Sequence, residues 1–351
     1  MDFTFDEQQI AFRDAIRKFL MIEAAPESLR EIWETQSGRS AELRGKLADQ
    51  GLTAISVPEA HTGMGLGDLD WVLAQQELGY YAIPDSLSDT AYLAVDLLKR
   101  LPANGNALAA QWLPRIASGQ ARVALSHPLN PLTADAENAD LLLLWHDDEV
   151  HALKPAQAQL VANESLDMSR RLSRVSWTPG QASRVCGAEP GRAIWAEVVN
   201  RAGVALASQL VGLASRMLDL GIDHSANRKQ FGKPVGSFQA VKHQLADVAV
   251  KIEFARPVVH RAAYALQKND PRRTVHVSHA RLAAGEAARL AARRSLQVHG
   301  AMGYTWEADL QMFMKRAWAL DASWGDRGFH KARVAAYVLG EGAVLGPSQT
   351  F

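Results

Sequence analysis

The chain has 351 residues, of which 48% are apolar and 22% charged, a composition typical of a globular protein with a sizeable core. Lys plus Arg and Asp plus Glu are each 38, so the net charge is zero, which argues against broad binding of nucleic acids or anionic membranes. The single cysteine, Cys186, excludes an internal disulfide and a cysteine-based metal site and fits a reducing cytoplasm. The first residues show no secretory signal, and the apolar stretch 202–214 is too short to span a bilayer.

The first 120 residues predict a helical segment. Apolar residues recur at helical spacing near its start, and Thr4 and Glu7 have the spacing of a capping box. These apolar residues are Phe5, Phe12, Ile16, Phe19 and Leu20. A second helix is predicted over 41–50, and the glycines and Pro58 of the following stretch indicate a loop. Further helices are expected over 89–101 and 107–118.

Residues 121–185 differ in character, because short apolar or alternating runs replace the helical spacing. Asp147 and Asp148 lie between two of these runs, at the position of a hairpin turn. The pattern predicts a small β domain.

Helical patterns return in the last part of the chain. Long segments rich in Ala, Leu, Val and Arg are compatible with an antiparallel four-helix bundle. They cover residues 193–227, 237–268, 275–299 and 309–339. We therefore expect an α+β multidomain chain with a helical domain at 1–120, a β domain at 121–190 and a helical bundle at 191–351.

Three motifs make this organisation specific. The stretch 51–67 is followed by Glu77-Leu78-Gly79, and the segments ANRKQFGKPVGSFQAVKHQLADV and LQVHGAMGYTWEADLQMFMKRAWAL come later, at 226–248 and 296–320. In this order they resemble the acyl-CoA dehydrogenase family. The resemblance covers nearly the whole chain except the β region, and it implies the acyl-CoA dehydrogenase fold.

The resemblance also implies an FAD site shared between two subunits. In the family, one subunit's β domain holds the flavin ring and the neighbour's C-terminal bundle holds the pyrophosphate and adenosine. Arg228 matches the arginine that reaches the pyrophosphate, a task that suits an always-charged guanidinium. Four neighbouring matches flank the cofactor: Gln230, Phe231, Phe238 and Gln239. The alternative for Arg228 is a surface cation near a helix C-terminus.

A second matching motif implies contact between backbone amides and the ADP moiety. Its implied cofactor-binding residues are Gln297, Gly300, Ala301 and Gly303. The family usually has two adjacent glycines, whereas Ala301 replaces the second one here. The motif is equally compatible with a helix C-cap at Gly300, and His299 is expected to pack or hydrogen-bond locally.

The expected catalytic groups are missing. The family removes the α-proton of an acyl-CoA with a glutamate, but its two known positions correspond to Trp324 and Ala202, so no catalytic residue is assigned. Asp326 and Asp321 are the nearest carboxylates. The family's flavin-holding Thr-Glu-Pro-x-x-Gly-Ser-Asp strand corresponds here to residues 125–130, LSHPLN. No metal-ligand spacing is present.

These features favour an FAD-sharing, non-catalytic subunit of a heteromeric acyl-CoA dehydrogenase. A related subunit would carry the glutamate, as in the α2β2 enzymes of bacterial steroid side-chain degradation, which bind one FAD per heterodimer. An acyl-CoA substrate and an electron-transfer flavoprotein are implied. Two alternatives remain, namely a homomeric enzyme that uses Asp326 as its base and a scaffold subunit that binds no flavin.

Overall fold

The computed structural model describes residues 4–341 together with Ala343 and Gly346. The α-helices are α1 (Glu7–Glu23), α2 (Pro26–Glu34), α3 (Ala41–Asp49), α4 (Asp68–Tyr80), α5 (Val95–Arg100), α6 (Asn106–Ala117), α7 (Ala188–Asn227), α8 (Gln239–Gln267), α9 (Arg273–His299), α10 (Leu310–Asp321) and α11 (Arg327–Val338). The strands are β1 (Val123–Ser126), β2 (Thr133–Ala134), β3 (Leu141–His146), β4 (Glu149–Leu153), β5 (Gln159–Asn163), β6 (Leu172–Ser176), β7 (Arg184–Cys186), β8 (Lys229–Gln230) and β9 (Lys233–Pro234). The predicted order of helices, strands and helices is confirmed.

The chain forms two compact units that are each discontinuous in sequence. One contains the residues up to Pro26, Val72–Ile83 and the chain from Gly203 onward, and the other contains Glu27–Trp71 and Pro84–Ala202. The division into three domains at residues 120 and 190 stays a prediction. None of the helices within the described residues is both long and apolar enough to cross a bilayer.

The start of α1 differs in detail from the sequence prediction. Its N-cap is Asp6, which accepts a hydrogen bond from the Gln9 amide at 2.8 Å, while the Asp6 amide donates to Gln9 Oε1 at 3.2 Å. The capping box predicted at Thr4 and Glu7 was therefore wrong by two residues. Asp is a strong N-cap residue and Gln three positions later completes the box, so the Asp6 pair satisfies two backbone donors.

The helices of the first part are otherwise close to the prediction, apart from α2, which was missed. The segment 89–101 begins as a π-helix over Asp89–Ala94 and continues as α5. Most of its residues are buried, so it belongs to the core of its unit.

The predicted β region is confirmed and contains two small sheets. The first has the order β1-β3-β4-β7, with β1 parallel to β3, and the second has the order β2-β6-β5. Asp147 and Asp148 form the predicted two-residue turn between β3 and β4, and both have positive φ, as a type I′ turn requires. Leu142 and Leu144 are fully buried in the apolar cluster under the first sheet.

The long helices of the last part pack through small side chains. Alanines on α8 and α9, including Ala262, Ala263, Ala284 and Ala288, are buried, which allows the helix backbones to approach closely. The fourth predicted helix, 309–339, was wrong as one element. It is divided into α10 and α11, because Trp324 and Gly325 have positive φ and Asp326 starts a new helix as its N-cap.

A two-stranded hairpin connects α7 to α8. Gln230 pairs with Lys233, and the turn residues Phe231 and Gly232 have φ values of 52° and 78°, the signs of a type I′ turn. Gly adopts this conformation freely, whereas a left-handed Phe costs about 1–2 kcal/mol. The Phe231 side chain is 89% exposed, so burial does not offset this cost.

Phe231→Asn is therefore expected to raise the free energy of unfolding by about 1 kcal/mol, because Asn tolerates the left-handed region and Asn-Gly is a favoured type I′ pair. Chemical denaturation followed by circular dichroism measures the change. The matched control is Asp147→Asn, at the first turn position of the β3–β4 hairpin, where the native residue already tolerates positive φ and little change is expected. A lower stability for Phe231→Asn would contradict this account of the turn.

Candidate functional site

A pocket of about 480 Å³ lies where the end of α7, the β8–β9 hairpin, the start of α8 and the end of α9 meet. The predicted cofactor-binding residues that line it are Arg228, Gln230, Phe231, Phe238, Gln297, Gly300 and Ala301. Two motifs about 70 residues apart in the sequence therefore form one concave surface.

Two predicted residues do not line this pocket. Gln239 is the exposed first residue of α8, and Gly303 is buried behind the α9 terminus. A Cβ at Gly303 would lie 2.7 Å from Leu296 Cδ1, so a larger residue there would require the Leu296 side chain to shift. Cofactor contact by Gln239 and Gly303 stays a prediction.

Arg228 follows the last turn of α7 and is fixed through its backbone. Its amide donates to the His224 carbonyl at 2.9 Å, and its carbonyl accepts from the Val235 amide at 2.8 Å. The side chain is exposed, and the described part of the chain provides no hydrogen-bond or ion-pair partner for its guanidinium. Its five N–H donors are therefore available to an anion in the pocket.

Gly300 ends α9 as the sequence predicted. It has φ 60° and ψ −140°, a conformation that L-residues rarely adopt, and its amide donates to the carbonyls of Leu296 and Gln297. Ala301 is exposed and does not have positive φ. The alanine at this position is therefore accommodated without backbone strain.

His299 makes the expected local contact, because its Nδ1 lies 2.7 Å from the Ser295 carbonyl oxygen. Its ring stacks on His224, with centroids 4.3 Å apart and an interplanar angle of 24°. Burial, followed by the neighbouring His299 and Arg228, lowers the pKa of His224. At neutral pH, His224 is uncharged.

The residues of the pocket fit the dinucleotide end of FAD. Arg228 offers a free cation to a diphosphate. Gln244 Oε1 lines the same pocket, is buried and has no hydrogen-bond partner, so it is an acceptor that a ligand hydroxyl or amino group would satisfy. The apolar and aromatic side chains Phe238, Val241 and Val298 provide surface for a planar base.

Sequence reasoning missed several lining residues. They are His224, Val235, Val241, Gln244, Val298 and Met302. His224 precedes Arg228 by four residues, so it lies on the same helix face and helical spacing from Arg228 would have found it. Gln244 gives no comparable signal, since its importance depends on a buried oxygen atom.

The two positions that correspond to the family's catalytic glutamate hold buried apolar side chains. Trp324 is 4% exposed and Ala202 is 0% exposed. The backbone beside Trp324 is held by Arg281, whose buried Nη2 donates to the carbonyls of Leu320, Asp321, Ser323 and Gly325 at 3.1–3.4 Å. Neither position can take a proton from a substrate.

The carboxylates nearest to this segment already have structural contacts. Asp321 Oδ2 accepts from Arg289 at 2.7 Å, and Asp326 Oδ1 accepts from the Phe329 amide at 2.8 Å as the N-cap of α11. Residues 4–341 contain no cluster of three or more His, Cys, Asp or Glu side chains able to hold a metal.

The segment that corresponds to the flavin-holding strand ends in an aromatic cluster. After β1, the His127 ring contacts Trp145 and Trp195, with centroid distances of 6.0 and 5.5 Å. Burial lowers the pKa of His127 to about 4, so the imidazole is neutral. The hydroxyl and carboxylate groups of the family motif are absent from residues 125–130 apart from Ser126.

Comparison with known proteins agrees with this structure. Residues 6–120 match the acyl-CoA dehydrogenase N-terminal domain and residues 191–339 match the C-terminal domain. The chain is 32% identical over 313 residues to the acyl-CoA dehydrogenase IpdE2 of Mycobacterium tuberculosis, which covers 89% of this chain and 91% of the relative.

Two solved structures share the fold at low sequence identity. The ChsE4-ChsE5 complex from Mycobacterium tuberculosis contains a chain with a TM-score of 0.86 and 21% identity, over 98% of this chain and 100% of that one. The Tcur3481-Tcur3483 steroid ACAD gives a TM-score of 0.85 at 21% identity, over 96% and 99%. The chain belongs to the acyl-CoA dehydrogenase family, a family of FAD flavoproteins.

Proposed function

We propose that this chain is the FAD-sharing, non-catalytic subunit of a heteromeric acyl-CoA dehydrogenase. The observation that carries the proposal is the unpaired Arg228 guanidinium at a pocket built from both cofactor motifs. The same chain has no carboxylate at either position of the catalytic base. It can therefore hold part of the cofactor but cannot complete the reaction alone.

The cofactor-binding half of the site lies in this chain. Arg228 binds the diphosphate, and Gln230, Phe231, Phe238 and Gln297 flank the adenosine end of the cofactor. Gly300 and Ala301 let the backbone come close to it, and we assign Gln239 and Gly303 to the same site through their motifs. Bound FAD supplies the hydride acceptor for α,β-dehydrogenation of an acyl-CoA.

The catalytic half comes from a related subunit. That subunit's glutamate removes the α-proton and its β domain holds the flavin ring, while Trp324 and Ala202 contribute no proton acceptor here. We propose an α2β2 assembly with one FAD per heterodimer. The complex named in the ChsE4-ChsE5 structure supports a heteromeric arrangement for a chain of this fold.

The exposed apolar side chains around the pocket support coverage by another chain. Phe231 is 89% exposed, Met302 50%, Tyr304 78% and Trp306 64%. Phe231 and Met302 line the pocket, and Tyr304 and Trp306 follow Met302 in the chain. Exposed aromatic residues are typical of protein interfaces, where they become buried. A partner that supplies the flavin-binding face would cover these side chains.

We propose a steroid side-chain CoA thioester as substrate, supported by the steroid ACAD among the structures with this fold. We expect an electron-transfer flavoprotein as the acceptor and the cytoplasm as the location. The segments 1–120, 121–190 and 191–351 would serve as the N-terminal, β and bundle domains of the family.

Each of the two alternative functions conflicts with a structural feature of the chain. A homomeric enzyme would need Asp326 as the base, yet this carboxylate caps α11. A scaffold without flavin would leave Arg228 and the buried Gln244 Oε1 without a function.

Arg228→Ala is expected to weaken FAD binding by the purified heteromeric complex about 10–100-fold, because one charge-assisted interaction contributes about 1.5–3 kcal/mol. FAD per complex, measured by absorbance after gel filtration, reports the loss. The matched control is Arg293→Ala, which removes an exposed arginine of α9 that does not line the pocket. Unchanged FAD content in Arg228→Ala would support the scaffold instead, and one FAD per two chains is expected for the unmodified complex.

Asp326→Asn is expected to leave both turnover and stability of the complex unchanged, because Asn caps a helix as well as Asp and the base lies on the other subunit. Asp326→Ala should lower the free energy of unfolding by about 1 kcal/mol without a comparable loss of turnover. Initial rates with an artificial electron acceptor and thermal denaturation separate the two effects. Loss of turnover in Asp326→Asn with full FAD content would favour the homomeric enzyme.

A further inference from the structure

The pocket holds a pair of stacked imidazoles beside Arg228 that the cofactor motifs do not explain. His224 lies one helical turn before Arg228, and His299 is the last residue of α9. Their ring centroids are 4.3 Å apart and nearly parallel, and both rings line the pocket. Three groups that can carry positive charge thus face one cavity.

The hydrogen bond of His299 fixes where its proton is. The Ser295 carbonyl lies 2.7 Å from Nδ1 and can only accept, so Nδ1 carries the hydrogen. A neutral His299 then has a lone pair on Nε2, which repels the oxygen atoms of an anion. Once protonated, the ring carries positive charge and Nε2 becomes a donor.

The surroundings of His224 disfavour its protonation when no anion is present. Burial is the largest cause of the lowered His224 pKa, followed by His299 and Arg228. On the α8 side, the lining residues Phe238, Val241 and Gln244 carry no titratable group. No Asp or Glu lines the pocket in the part of the chain that the structure describes. Binding of an anion with two negative charges would instead favour protonation of a histidine in the pocket.

We propose that His224 and His299 form an anion subsite beside Arg228, and that the pair takes up one proton when the diphosphate of the dinucleotide binds. This inference rests on the proposed function, because it takes the pocket as the diphosphate site. The proton comes from solvent and binds a ring nitrogen of one of the two imidazoles. Two protons on rings 4.3 Å apart would repel each other, so the uptake is limited to one.

Proton uptake determines how the affinity for the anion depends on pH. The bound state carries more protons than the free state, so affinity is greatest at low pH and decreases as pH rises. Uptake of one proton gives a decrease of about tenfold per pH unit between the pKa of the free pair and that of the complex. The lowered pKa of free His224 favours release of its proton when no anion is bound.

The test uses isothermal titration calorimetry of the full chain with ADP-ribose, a diphosphate diester that has no titrating group of its own near neutral pH. Titrations at pH 7 in two buffers of different ionisation enthalpy give the number of protons taken up per ligand. We expect an uptake between zero and one that is largest at a pH between the pKa of the free pair and that of the complex. Uptake should be near zero in the double variant His224→Phe/His299→Phe, which keeps an aromatic ring at both positions. The matched control is His243→Phe, an exposed histidine of α8 outside the pocket, which should behave as the unmodified chain.

The possible outcomes separate this inference from the proposed function. Binding that requires Arg228 but involves no proton uptake, or equal uptake in the double variant His224→Phe/His299→Phe, overturns the subsite and leaves the proposed function intact. ADP-ribose binding that does not weaken in Arg228→Ala, or no binding by the chain and its complex, contradicts both. Because coenzyme A also contains a diphosphate, competition distinguishes the two sources: FAD should displace ADP-ribose, whereas displacement by coenzyme A alone would overturn the assignment.

Discussion

Arg228 is a cation without a counter-charge, and the arrangement of the pocket follows from this constraint. The end of α7, the hairpin and the end of α9 converge on it, yet no carboxylate lines the pocket among the residues described. The uncompensated charge contributes to the lowered pKa of His224. The chain also tolerates a left-handed Phe231 next to it, at a cost that stability alone does not explain. An unpaired cation without a nearby carboxylate is expected of a site that binds an anion.

In the region that would carry the base, most polar groups have partners within the chain, although Arg281 Nη1 is buried without a hydrogen-bond partner. Burial lowers the pKa of Arg281 to about 10, so the guanidinium remains charged at neutral pH and holds four carbonyls between α10 and α11. His330 lies against it, with Nδ1 3.2 Å from Ser278 Oγ. This network fixes the turn at Trp324 and Gly325, and Asp321 and Asp326 have structural contacts on either side. The turn has therefore become part of the core.

The sequence predicted the order of elements and half of the residues that line the pocket, because both depend on local patterns. Helical periodicity located the long helices, and the motifs around Arg228 and Gly300 specified backbone turns that place their side chains. The features that the sequence did not predict depend on contacts between residues that are far apart in the chain. The break after α10 depends on positive φ at Trp324, a residue that gives no turn signal, and Arg281, which holds that turn, is about 40 residues earlier. Gln244 matters through a buried oxygen atom, which a single sequence does not reveal.

The side chain at the position of the expected base also affects the energetics of the chain. Burying a large apolar side chain stabilises a protein by about 1.5–3 kcal/mol, whereas a buried carboxylate needs a partner or a raised pKa. With Trp324 at this position, the chain avoids the free-energy cost of burying a carboxylate. The Arg228 pocket still carries a free-energy cost, because it has an unpaired cation and a left-handed residue in its turn. A chain that had lost all contact with the cofactor would have no reason to retain that second cost. Trp324 also has positive φ, but its ring is 4% exposed, so burial offsets the backbone cost, whereas Phe231 is 89% exposed. This difference is what a division of labour between two related subunits predicts.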